Sequence, residues 1–300
     1  MKRKNLGSRM RVGVWLHGVA LLVSATLSGC QSPYQTLQHL SEQHDRQLEI
    51  IPTHPFPLVL GAPTMRPSAS RIRVYLEGDG HAWATASQPS LDPSPSNLLT
   101  AQLAFGDPTP SIYLARPCQF LKSTNCSTAI WTNRRFAPEV LSSLDHALTL
   151  IKSRYGNQEF ELIGYSGGAA LALLLAVNRD DIAQVQTLAG NLSPRTWTRQ
   201  LKLSPLTGSL EPLDQRKKLT KIAQRHIAGA DDHITPPMLM QHYLNELGSA
   251  ECLQSMVLPN ISHDEGWQQA WKIWRAIPLD CSSSGADRKK PEKSSMLQGR

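Results

Sequence analysis

Three hundred residues, 40% of them hydrophobic and 18% charged, exclude a disordered chain and supply enough apolar side chains for the core of one full domain. The formal net charge is +7, but Lys2, Arg3, Lys4, Arg9 and Arg11 carry five of those charges and residues 282–300 a further +3. The body between these ends is near neutral, at −1, so the basicity gives no argument for nucleic acid as a partner.

In chain order, the basic stretch MKRKNLGSRMR is followed by the apolar run VGVWLHGVALLVSATL and then by Leu27, Ser28, Gly29 and Cys30. The run is short of the roughly 20 residues a spanning helix needs. The pattern resembles a bacterial lipoprotein signal, whose lipobox ends in the cysteine that is acylated and becomes the first residue. That resemblance implies removal of residues 1–29, acyl chains on Cys30 and attachment to a bilayer in the cell envelope. Gln31 is no Asp retention signal, which on the same resemblance favours the outer membrane, facing the periplasm. Residues 30–54 are polar, with a Gln/His-rich piece of helical character, and are read as a tether, residues 55–281 as the folded domain, and the Ser-rich basic end, 282–300, as a disordered tail.

The remaining cysteines, Cys118, Cys126, Cys252 and Cys281, are even in number and fit an oxidising compartment. Four cysteines allow three connectivities. The favoured one joins Cys118 with Cys126 in a short loop and Cys252 with Cys281 near the end of the domain. There is no CxxC pair to suggest a zinc or redox site.

From residue 71 onward, short β-like runs alternate with helical ones. RIRVYL leads into a Gly turn, and SIYLARPCQ is a second strand; residues 88–110, rich in Pro and Ser, read as a long surface loop. Residues 137–156 carry Pro138 at a helix start, apolar residues at helical spacing and Gly156 as a stop. QEFELIG, IAQVQTLAG, KIAQRHIAG and SMVLP supply further strands, and the last helix, from His263 to Ile277, has Trp267, Trp271 and Trp274 on one face. Strands alternating with helices predict an α/β fold, a mostly parallel central sheet with helices on both faces.

Gly164, Tyr165, Ser166, Gly167 and Gly168 spell G-x-S-x-G between a strand and a helix. In that context the pattern is a nucleophile elbow, in which the serine projects from a sharp turn at the sheet edge and glycines remove clashes. A serine hydroxyl needs a base to take its proton and an acid to orient the base. Here the chain resembles the α/β-hydrolases over about residues 55–280, and it is similar to a bacterial subgroup with a Y-x-E-G-D-G turn. The resemblance implies the order Ser, acid, His. It places the acid in HIAGADDHITPP, which looks like G-x-x-D-x-x-x-P and selects Asp232, with Asp231 as the alternative. Of the ten histidines, His263 alone follows the acid segment, a strand and a loop. The oxyanion donors are expected at the amide of Gly167 and, where esterases carry HG or HGGG, at Asp79 with Gly80 behind it. Glu77 replaces the usual His, and a carboxylate at Asp79 repels an oxyanion unless it turns away or meets a cation.

The implied activity is that of a serine hydrolase cleaving a carboxylic ester, carboxylesterase-like, acting without metal or organic cofactor as a monomer on a small acyl ester. The alternatives are a thioesterase or acyltransferase working on envelope lipids, and a lipoprotein that keeps the scaffold only for binding. Residues 189–197 are expected to shape the pocket and 203–212 to form a small lid. Arg134 and Arg135 are read as a structural or solvated pair, with recognition of an acidic substrate group as the alternative.

Overall fold

The structure, a computed structural model, describes residues 31–65 and 68–281. Eight strands form one sheet: β1 (Arg46–Ile51), β2 (Leu58–Pro63), β3 (Arg71–Leu76), β4 (Ser111–Leu114), β5 (Glu159–Tyr165), β6 (Ile182–Leu188), β7 (Gln224–Gly229) and β8 (Leu253–Leu258). Their order is β1-β2-β4-β3-β5-β6-β7-β8. From β4 to β8 every pairing is parallel, and β2 runs antiparallel to both its neighbours. The helices are α1 (Pro33–Gln43), α2 (Leu99–Phe105), α3 (Thr128–Trp131), α4 (Pro138–Tyr155), α5 (Gly168–Ala176), α6 (Pro194–Gln200), α7 (Arg216–Leu219), α8 (Pro237–Leu247) and α9 (Trp267–Trp274).

Side-chain alternation along the strands explains two helical layers. Ile72, Val74 and Leu76 of β3, with Phe160 and Leu162 of β5, join one core with α4, α5 and α8, while Tyr75, Ile163 and Tyr165 join the other with α1, α2 and α9. All nine residues of α5, GAALALLLA, are buried, as expected of a helix that is apolar on every side. The expected α4 runs from Pro138 at its first position to Gly156, whose φ of 69° closes the last turn in a conformation glycine favours. Trp267 and Trp271 of α9 are each 1% exposed. Both favoured disulfides, Cys118–Cys126 and Cys252–Cys281, are present.

Two expectations need correction. Residues 31–54 are not simply a tether: Ser32 accepts from the Gln35 amide in a capping box that starts α1, and β1 pairs with β2 along its whole length. Arg46 fixes this segment by donating to the carbonyls of Phe105, Asp107 and Ser111. The fold therefore begins before residue 55. The supposed loop 88–110 contains α2, six of whose seven residues are buried. Cys30 and residues 1–29 and 282–300, to which the lipidation, signal and tail readings apply, lie outside the described residues.

His226 on β7 is fully buried, between the Thr187 hydroxyl at 2.8 Å and Gln224 Oε1 at 3.0 Å, and burial lowers its pKa from 6.5 to about 3. The imidazole is thus neutral when folded but takes a proton below pH 6.5 when unfolded. The unfolded chain binds the extra proton in that window, so stability is unaffected above pH 6.5 and falls as the pH drops towards 3. Urea unfolding at pH 7 and pH 5 is expected to differ by about 2 kcal/mol through this group, from about 1.4 kcal/mol per pH unit. The difference should shrink in His226→Gln; an unchanged difference would refute the assignment.

Candidate active site

The parallel strands deliver their following turns to one edge of the sheet, and the site is built there. Between β5 and α5, Ser166 adopts φ 50°, a left-handed conformation that costs a non-glycine residue about 1 kcal/mol or more. Three backbone hydrogen bonds hold it: its amide donates to Leu188 O at 3.0 Å, and its carbonyl accepts from the Asn191 amide at 2.9 Å and the Ala169 amide at 3.1 Å. The flanking glycines are steric necessities. A Cβ on Gly164 would stand 2.5 Å from Ala169 Cα, and one on Gly168 would strike the carbonyls of Leu76 and Glu77. One on Gly167 would displace the Asp79 carboxylate.

His263 follows β8, and Asp232 follows β7. The structure brings both to Ser166: His263 Nε2 lies 3.0 Å from Ser166 Oγ, and His263 Nδ1 lies 2.9 Å from Asp232 Oδ2. Asp231 is exposed, and it is Asp232 that bonds His263. Asp232 Oδ1 accepts from the amides of Ile234 and Thr235, each at 2.8 Å, and the Thr235 hydroxyl lies 2.8 Å from Oδ2. Burial acts to raise the Asp232 pKa, but the hydrogen bond and charge of His263 and the donors of Thr235 outweigh it and bring it below the ordinary value. An ionised Asp232 can only accept, which assigns the proton to His263 Nδ1 and leaves Nε2 free to receive the serine proton. The backbone of His263 is held as well, since its carbonyl accepts from the Tyr165 hydroxyl and the Trp267 indole, both at 2.9 Å.

The turn after β3 packs directly on the elbow. A Cβ on Gly78 would lie 3.2 Å from Ser166 Cβ. Glu77, buried, accepts from the Gly78 amide at 2.8 Å, the Thr100 hydroxyl at 2.7 Å and the Tyr113 hydroxyl at 2.8 Å. Burial nevertheless pushes its carboxyl up. Asp79 faces the guanidinium groups of Arg116 and Arg135, which are themselves buried. Burial alone would raise the Asp79 pKa, and the two cations, Arg135 first, bring it down. This pairing resolves the repulsion foreseen at position 79. The amides of Asp79, Gly80 and Gly167 have no hydrogen-bond partner among the described residues, so they are available to a negatively charged oxygen.

A cavity of about 360 Å³ opens over the serine, lined by Ser166, His263, Asn191, Trp197 and the 77–83 turn. The expected contribution of residues 189–197 is present, whereas residues 203–212 take no part in this wall: Leu206 and Leu210 pack on the core and Ser209 bonds the 133–136 segment. Arg134 pairs with Glu139 at the surface and Arg135 with Asp79 inside. Sequence reasoning missed Arg116 and Thr235, and it reached Asn191 only as a member of the 189–197 segment. The one signal for Arg116 was an arginine directly after the apolar strand SIYLA, where a strand hands its chain to the sheet edge.

No protein-family model matches the sequence, and no curated protein matches it. Solved structures do resemble it. The esterase Pf2001 of Pyrococcus furiosus superposes with a TM-score of 0.58 at 14% identity, covering 83% of this chain and 92% of that one. The acylaminoacyl peptidase of Pyrococcus horikoshii gives 0.56 at 11% identity over 80% of this chain and 42% of its own. Est1E from Butyrivibrio proteoclasticus gives 0.52 at 12% identity, over 76% and 95%. At such identities the likeness is one of architecture, and with the mostly parallel eight-stranded sheet it shows that this chain has the α/β-hydrolase fold.

Proposed function

We propose that the protein is a serine hydrolase that cleaves a carboxylic ester, or a related acyl bond, through an acyl-enzyme. The observation that carries this reading is the unbroken hydrogen-bond chain Ser166–His263–Asp232 at the floor of an open cavity. Ser166 Oγ attacks the carbonyl carbon while its proton passes to His263 Nε2, and the carbonyl electron pair moves onto oxygen, towards the amides of Gly167 and Asp79 or Gly80. Collapse of this adduct breaks the bond to the leaving oxygen, which takes the proton from His263. Water, deprotonated by the same imidazole, then releases the carboxylic acid and restores Ser166. Asp232 orients the ring and stabilises the imidazolium. The likeness in architecture to the esterase Pf2001 supports the reading.

Covalent labelling by a fluorophosphonate probe of the protein lacking residues 1–30 tests it. A folded parent that takes up one equivalent of probe agrees with an activated serine, and a folded parent that stays unlabelled would overturn the reading. We further propose that acyl chains on Cys30 hold this activity at the periplasmic face of the outer membrane; absence of labelled palmitate from the full chain expressed in a Gram-negative host would contradict that.

A further inference from the structure

Arg135 is 3% exposed and forms part of the cavity wall beside the serine. Two of its nitrogens are committed: Nε donates to Thr132 O and Nη1 to Asp79 Oδ2. Nη2 has no acceptor among the described residues. The guanidinium lies 5.9 Å from the Trp197 ring centroid, and Trp197 is itself pinned by donation from its indole to Ile234 O. Arg135 is thus held by three neighbours with one nitrogen, Nη2, left over. Arg116 and Arg135 against Asp79 leave this cluster one net positive charge. Two further carboxylates line the cavity and are bonded to neutral donors: Asp264 Oδ1 accepts from Tyr165 and Asn97, and both oxygens of Glu77 accept from the donors named above. Asn191, 3% exposed, lines the same cavity, though its unpaired Oδ1 is itself closed off from it. A guanidinium nitrogen left without an acceptor in a cavity wall is a ready partner for an anionic group.

We infer that Arg135 forms a polar subsite that recognises an anionic group on the substrate, so that the preferred ester carries a carboxylate. This rests on the hydrolase reading above and names its substrate class. The carboxylate accepts from Arg135 Nη2, and Asn191 lines the same cavity.

The carboxylate belongs to the acyl part or to the alcohol part, and two pairs of probes separate these. Mono-p-nitrophenyl glutarate is compared with p-nitrophenyl pentanoate, and 4-acetoxybenzoate with phenyl acetate, each rate divided by its uncatalysed rate. In at least one pair the anionic ester should show a kcat/KM on the order of 10-fold higher or more, the range expected for a hydrogen bond to a charged group. Arg135→Gln should bring the ratio to one or below. Because that variant also disturbs Asp79, Asn191→Asp provides a second reading: a carboxylate placed in the same cavity should reverse the preference. Preference for the neutral ester in both pairs, by a parent that the fluorophosphonate still labels, would overturn this inference and leave the hydrolase reading standing. A parent that is neither labelled nor active on any of the four would overturn both.

Discussion

Ser166→Ala is expected to lower kcat/KM for an activated ester by a factor on the order of a million, and Asp232→Asn by about ten-thousandfold. The first removes the nucleophile. The second acts through the imidazole. Asp232 Oδ1 accepts from two backbone amides, so the carbonyl oxygen of an asparagine must take that place and its NH2 group must face His263 Nδ1. Nδ1 then becomes an acceptor, the ring proton moves to Nε2, and the atom that should receive the serine proton is already protonated. Steady-state hydrolysis of a p-nitrophenyl ester, with circular dichroism to confirm folding, measures both. Activity within tenfold of the parent in either variant would remove the triad from the mechanism.

Asp79→Ala is expected to destabilise the fold by about 3 to 5 kcal/mol, because it leaves two buried guanidinium groups without their shared counter-charge. For a domain of this size that is a fall in Tm of roughly 6 °C or more. The loss should reach activity too, since the pairs with Arg116 and Arg135 fix the turn that carries the free amides of Asp79 and Gly80. Asp79→Glu separates charge from shape. It keeps the carboxylate but lengthens the side chain where Gly167 already leaves room for nothing larger than hydrogen. It should recover part of the stability and little of the activity. Calorimetry alongside ester hydrolysis reads both quantities, and an alanine variant melting within 2 °C of the parent would show that the cluster does not hold the turn.

Ser166, Asp232 and His263 were legible in the sequence because each sits where a strand ends, and strand ends leave local marks: a Gly-rich turn, an Asp before Pro, a His before a helix. The Asp79 cluster was not. Its members are separated by 37 and 56 residues, and only the packing of β3 beside β4 brings Arg116 to the turn. Arg135 was visible as a residue, but nothing in WTNRRF distinguishes the arginine that points in from Arg134, which points out. The N-terminal side was misread for a different reason. RQLEII is an edge strand with polar and apolar residues mixed, and α1, a Gln/His-rich piece whose helical character was visible, buries only Leu37 and Ser41 fully against eight residues of α4, so neither announced itself as part of the packed fold. In α2, seven residues were hidden by the Pro and Ser on either side.

The pairing of β1 with β2 bears on how the molecule can be cut. Residue 55 looks like a natural starting point in the sequence, yet trimming the chain there would strip the outer strand from Leu58, Val59 and Leu60, all of them buried. A bare row of amides and carbonyls flanked by aliphatic side chains is a template for pairing with another copy. The polar outer strand, with its helix and the Arg46 anchor, therefore serves as a guard against self-association at the one edge of the sheet where the chain reverses direction.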